Sequence, residues 1–344
     1  MKKRFYNIEF FRIWFTLTIV YGHMIQHWMM PQFGELPFFD RLFRHTSYSF
    51  GYMCEAFFII SGFFMFCTFV QKPSFVKMIT GKLVRLWPVV AFALFCSFVL
   101  SLFGIGGFEK YACVLDLSFL NCALTNAPTN VGHAWYVTSL FWACVFYYLL
   151  DNVLSDGVKI YVFSILTFLF YSILLNKIGL YDQPQVFCGL LSIPLIRALA
   201  GMGLGYIIGY AYNAYRECQR AGKTNLCFCI CEILFLALLF KLSIMKKVSF
   251  AFPVMLVSFV FLFIDFLLSK GIVARLVDKK VFGFIGRYSF SVYMMQWIGF
   301  LLANKFLWHH PRFGVEHYPV LNIIGGGGHV LSSESSRIIS LRFR

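Results

Sequence analysis

An arginine and two imidazoles lie within "FFRIWFTLTIVYGHMIQHW", residues 10–28, a run otherwise apolar enough to cross a lipid bilayer. Ionisable groups in such a run are costly, and they mark pathways and active sites. Arg12 and His23 stand eleven positions apart. At about 100° per residue they differ by roughly 20° after three full turns, so both project from nearly one helical face, about 16 Å apart along the axis. His27 follows one turn later on a neighbouring face. An imidazole suits proton removal near neutral pH, and a guanidinium grips phosphate or carboxylate through two hydrogen bonds. The ordinary alternative has Arg12 snorkelling to the interface and His23 merely bonding another helix. Their shared face weighs against it.

Further polar groups interrupt other apolar runs. "CEAFFIISGFF", residues 54–64, carries Glu55 near one end, either interfacial or a partner for a histidine; Ser61 and Gly62 permit close helix approach. "KMITGKLVRLWP", residues 77–88, sets Lys82 and Arg85 one helical turn apart. They either orient the chain in the membrane or bind an anion, with arginine as fork and lysine as point charge. "GHAWYVTSLFW", residues 132–142, places Trp135 and Tyr136 where an interfacial aromatic belt belongs, beside a His133 that reads as solvated. "RALAGMGLGYIIG" puts Arg197, Gly201, Gly205 and Gly209 at four-residue steps, a helix-packing stripe with Arg197 facing protein. No strand precedes these glycines, which excludes a dinucleotide loop.

Composition says what must position these groups. The chain has 344 residues, 60% hydrophobic and only 13% charged, against about 25% charged in a soluble domain. The reading is an all-α, polytopic transmembrane bundle of about nine to ten spans, with windows at 10–30, 49–71, 86–107, 133–150, 158–176, 187–212, 226–245, 248–268 and 281–304. Residues 108–132 read as a loop. The net charge of +15 could suggest nucleic acid, but the cations sit mostly in short loops between apolar runs, where they set orientation instead. With the N-terminus inside, sixteen lysines and arginines fall on the inner side against nine outside. Lys241, Lys246 and Lys247 run against that bias. The first apolar run is too long for a signal-peptide core and lacks a small-residue cleavage site, so it is expected to stay as the first span. Most of the eleven cysteines lie within spans as small apolar residues; Cys113 and Cys122 fall in an outer loop where a disulfide is permitted. The chain beyond about residue 310 breaks the pattern with four consecutive glycines and a Ser- and Arg-rich end, which reads as truncated or disordered.

Five segments in order resemble acyltransferase family 3, integral membrane O-acyltransferases. "NIEFFRIWFTLTIVYGH" is similar to that family's acidic residue and Arg-x10-His first span, met by Arg12 and His23. "EAFFIISGFF", "KLVRLWP", "HAWYVTSLFW" and "IGRYSFSVYMMQW" look like its acidic-Phe-Phe, basic-x-x-Arg-Leu, Trp-containing and late Ser-Tyr segments. Gln296 stands where the family often has histidine. The resemblance implies an integral membrane acyltransferase domain over 1–310 and an atypical tail over 311–344. It further implies O-acetylation, transfer of an acetyl or other short acyl group from acetyl-CoA in the cytoplasm to a hydroxyl of a glycan or lipid-linked saccharide. The protein would sit in the bacterial cell membrane among lipid, with no metal and no nucleic acid.

Within that frame His23 is the expected base, Glu55 the carboxylate that fixes its tautomer, and Arg12, Lys82 and Arg85 the donor site. Trp135, Tyr136, Tyr293 and Gln296 are the expected acceptor contacts. The roughly 16 Å from Arg12 to His23 matches an extended pantetheine arm. The rival is a transporter or flippase for a lipid-linked sugar or anion, which also uses buried Arg, His and Glu, although no internal repeat of the transporter kind stands out.

Overall fold

The structure is a computed structural model that describes residues 5–24, 50–121, 124–125, 128–176, 187–188, 191–218, 226–244, 251–303 and 305. His27, Cys122, Lys246, Lys247 and the 311–344 tail lie outside the described residues. The described chain is helical apart from turns and one antiparallel two-residue hairpin, Phe187–Cys188 with Leu191–Ser192.

Each of the nine apolar windows carries a helix: α1 Tyr6–Met24, α2 Met53–Phe69, α3 Phe75–Leu102, then, after the short α4 Lys110–Leu117, α5 Ala134–Val153, α6 Asp156–Asn176, α7 Ile193–Cys218, α8 Leu226–Ile244 and α9 Ala251–Leu268. The short α10 Ile272–Leu276 and α11 Lys280–Ile285 lead into α12 Ser289–Ala303. Among the described residues, α3, α6, α9 and Ile193–Tyr215 of α7 are long and apolar enough to cross a membrane unaided; α2 is a shorter apolar helix. Helices thus occupy the expected windows, and four of them qualify as spans by length and composition. Glu9 and Arg12 show why α1 falls short on composition alone: the polar groups that make it interesting lower its hydropathy.

Three boundaries differ from expectation. α3 starts at Phe75, eleven residues before its window, because the Ser74 hydroxyl caps the Lys77 amide; Lys82 and Arg85 are thereby held on a rigid helix. The sixth window opens at 187, but the hairpin occupies that stretch and α7 begins at Ile193. The expected loop 108–132 contains α4, tied down by a buried carboxylate. Asp116 accepts hydrogen bonds from the Asn121 amide (2.9 Å), the Thr129 hydroxyl (2.8 Å) and the Asn130 backbone N–H (3.0 Å).

The bundle has a centre and a lipid-facing rim. In their most apolar stretches α7 is 83% buried, whereas α3 and α6 are 28% buried and turn Val84, Phe92, Phe95 and Phe168 outward. Exposed phenylalanine in water would be costly; against lipid it is the favourable arrangement. α2 and α7 run the same way in the closest helix pair. A Cβ on Gly205 would collide with the Ile59 carbonyl, and one on Gly209 would meet the Phe66 ring, so the glycine stripe does set backbone-to-backbone approach. Phe11 packs on Phe15, Phe259 and Phe266, and Phe63 on Phe263, joining α1, α2 and α9 in one aromatic core.

Candidate active site

α1 is unbroken from Tyr6 to Met24, so Arg12 and His23 do lie on one continuous helix about 16 Å apart along its axis. Two helices sort the chemistry to its two ends. α12 runs parallel to α1, with Thr16 bonded to the Ser289 carbonyl and His23 to Gln296 about two turns further on. α5 runs the opposite way, so its first residues meet the His23 end and Tyr136 and Leu140 descend toward Arg12.

At the Arg12 end, Arg12, Lys82, Arg85, Ser61, Tyr136, Ser289 and Tyr293 line one cavity with about 70 Å³ of free space. Lys82 is half-buried and much of Arg85 is exposed, while the Arg85 guanidinium lies in the cavity wall within electrostatic reach of Arg12. Glu9 holds Arg12 at 3.1 Å, and Gly286 lets α1 approach, since a Cβ there would strike the Glu9 side chain. Among the described residues, three cations line this cavity, and the Glu9 carboxylate pairs with one of them, Arg12. The Nε of Arg12 is buried with no hydrogen-bond partner among the described residues. The volume admits several waters, given that one water needs roughly 10–15 Å³.

At the other end, His23 Nδ1 lies 3.2 Å from Gln296 Oε1 and 3.1 Å from His133 Nε2. His23 is half-buried; His133 and Gln296 are buried. His23 is absent from the cavity wall. What joins the two ends is Tyr293, whose ring stands 5.4 Å from that of His133 and 5.4 Å from that of Tyr136 while forming part of the cavity lining.

Several expected residues meet different partners. Glu55, expected beside the imidazole, accepts from Arg197 Nε at 2.9 Å, with both side chains 4% exposed. Arg197 also donates to the Gly51 carbonyl and lies over Trp135, 5.1 Å from the ring centroid. Trp135 therefore covers a guanidinium, and Tyr136, buried against Phe58, belongs to the cationic cavity instead of an outer aromatic belt. Tyr293 lines the cavity and Gln296 bonds His23. Sequence reasoning missed His133. Depth could have found it: α5 runs opposite to α1, so the start of α5 lies level with the last turn of α1.

Outside the spans, burial raises the Asp116 carboxyl above its ordinary range, more than the three donors that it accepts from lower it. Thr129 also bonds the Val131 carbonyl, and the Ala134 amide bonds that same carbonyl, so this knot reaches the turn that carries His133.

Residues 5–332 match a protein family described as "Acyltransferase domain". No curated protein and no solved structure matches the chain.

Proposed function

The chain belongs to acyltransferase family 3, and from that premise we propose that it moves an acetyl or other short acyl group from acyl-CoA to a hydroxyl of a cell-surface or lipid-linked glycan. The helices cross the bacterial cell membrane alternately with the N-terminus cytoplasmic. The Arg12 end then faces the compartment where the donor is made.

The donor's phosphates sit against Arg85 and Lys82, as multiple anionic oxygens on a fork and a point charge. Arg12, already oriented by Glu9, keeps its Nε–H for the ligand. Only the pantetheine arm and thioester enter the narrow cavity, passing Tyr136 and Tyr293 toward the imidazole. The acceptor hydroxyl arrives from the outer side at half-buried His23. There Nε2 of His23 takes the hydroxyl proton as the oxygen attacks the thioester carbonyl. The C–S bond breaks, and the leaving thiolate takes that proton back, so His23 returns to its starting state. A base near neutral pKa fits this task. Gln296 holds the ring, the position assigned to Glu55 from sequence.

The observation that carries this reading is the junction of a cationic cavity with a histidine across one tyrosine, on helices of an acyltransferase family. Family membership favours transfer over transport. The test is release of free CoA thiol from acetyl-CoA by purified protein, dependent on added glycan acceptor. His23→Ala should abolish release at equal protein level, and Lys82→Ala with Arg85→Ala should raise the donor KM by at least tenfold. Full activity in His23→Ala rules out the base, and a transporter releases no thiol at all. Mass profiling of the surface glycan with and without the protein identifies the acceptor.

A further inference from the structure

His23 has a second imidazole against it that the scheme above leaves idle. His133 is 4% exposed, and its Nε2 lies 3.1 Å from His23 Nδ1 with ring centroids 4.4 Å apart. Tyr293 and Trp297 pack edgewise on it. The same Nδ1 also faces Gln296 Oε1 at 3.2 Å. A carbonyl oxygen can only accept, so a proton on Nδ1 is the arrangement that serves both neighbours, each as acceptor. That tautomer leaves the lone pair on Nε2, the nitrogen that has to take the hydroxyl proton.

We propose that His133 is a positioning residue for His23. It holds the ring in the Nδ1–H form and shares the charge of the imidazolium across the Nδ1–H···Nε2 bond while the acyl group moves. In balance, the alcohol proton goes to His23 Nε2, the Nδ1 proton stays between the two rings, and the leaving thiolate takes the Nε2 proton. Both rings end as they began. The inference rests on the reading of His23 as base. Among the described residues, the titratable or charged groups facing the pair from the packed helices are Tyr293 from α12, Tyr136 from α5, Cys54 from α2 and Arg197 from α7, which pairs with Glu55. Glu55 and Arg197 neutralise each other, so no net charge from them competes with a proton shared by the rings.

The experiment is the pH profile of thiol release for wild type, His133→Phe and His133→Gln. Phenylalanine keeps a ring against Tyr293 and Trp297 but offers no acceptor; glutamine offers an amide oxygen. A hydrogen bond to a charged group changes an equilibrium by roughly ten- to a hundredfold, equivalent to roughly one to two pH units. His133→Phe should therefore lose ten- to a hundredfold in kcat, with donor KM unchanged, and its acid limb should move down by about one pH unit. His133→Gln should recover most of the rate. A His133→Phe enzyme with wild-type kcat and limb overturns the proposal. So does a loss of kcat with an unmoved limb that glutamine does not repair, the mark of a scaffold residue. Should His133→Phe not fold, rescue of His133→Ala by added imidazole supports the partnership, and failure of that rescue overturns it. His23→Ala separates the two ideas: activity there removes the base itself, whereas a dead His23→Ala beside an unaffected His133→Phe removes only this partnership.

Discussion

Replacing Glu55 by glutamine leaves Arg197 charged in an interior where both side chains are 4% exposed. With charge centres about 4 Å apart, an effective dielectric of about 20 gives an attraction of about 4 kcal/mol. That agrees with the roughly 3–5 kcal/mol lost when one member of a buried pair is removed. For a chain of this size about 2 °C accompanies each kcal/mol, so Glu55→Gln should melt about 6–10 °C lower in detergent. The pair also joins α2 to α7, and Trp135 stacks on the guanidinium, so the loss should spread through the centre of the bundle. Removing both charges, Glu55→Leu with Arg197→Met, should return the melting temperature most of the way, because well-packed apolar substitutes for a buried pair are often neutral or better. The assay is thermal unfolding of the four proteins in a double-mutant cycle, followed by thiol release at least 15 °C (about twice the expected shift) below the lowest midpoint. If Glu55→Gln melts like wild type and yet loses activity, Glu55 acts in the chemistry and its reading as a purely structural partner of Arg197 is wrong.

Gly205→Ala should destabilise the α2–α7 contact by about 1–3 kcal/mol through overpacking, since its Cβ meets the Ile59 carbonyl, whereas Gly81→Ala, with nothing within 4 Å, should match or exceed wild-type stability; comparing the two midpoints checks this. Tyr293→Trp should obstruct the route between cavity and imidazole, lowering kcat at least tenfold with donor binding retained, as read by titration with acetyl-CoA. Because burial raises the Asp116 carboxyl, the folded chain binds that proton more tightly than the unfolded one. Its contribution to stability then falls as pH climbs from the ordinary value of 3.8 through the raised one. Asp116→Asn should flatten that slope in melting scans across the acidic range, and an unchanged slope refutes it.

Much of the site was legible because helix geometry is local. A continuous helix fixes the angle between Arg12 and His23 whatever surrounds it, so the shared face and the axial distance follow from counting residues. The glycine steps at 201, 205 and 209 likewise announce a close helix contact, since four-residue spacing keeps them on one stripe. Lys82 and Arg85, grouped with Arg12 on the strength of the family resemblance, line one cavity with it. The sequence also pointed to the acyltransferase family through five ordered segments, which the family match over 5–332 bears out.

The partner of each buried group was a different matter. Glu55 takes Arg197, 142 positions away, and His23 takes His133, 110 positions away. A carboxylate in a span gains from either an imidazole or a guanidinium, and nothing within one helix says which will face it. That choice belongs to the rotation of each helix about its axis, set when Gly201 and Gly205 let α7 approach α2 and so bring Arg197 to Glu55. Tyr293 between cavity and imidazole is decided the same way, by where α12 packs between α1 and α3, which brings its ring to Tyr136 and His133. Periodicity along a chain fixes which residues share a face; only packing between chain-distant helices fixes which faces meet.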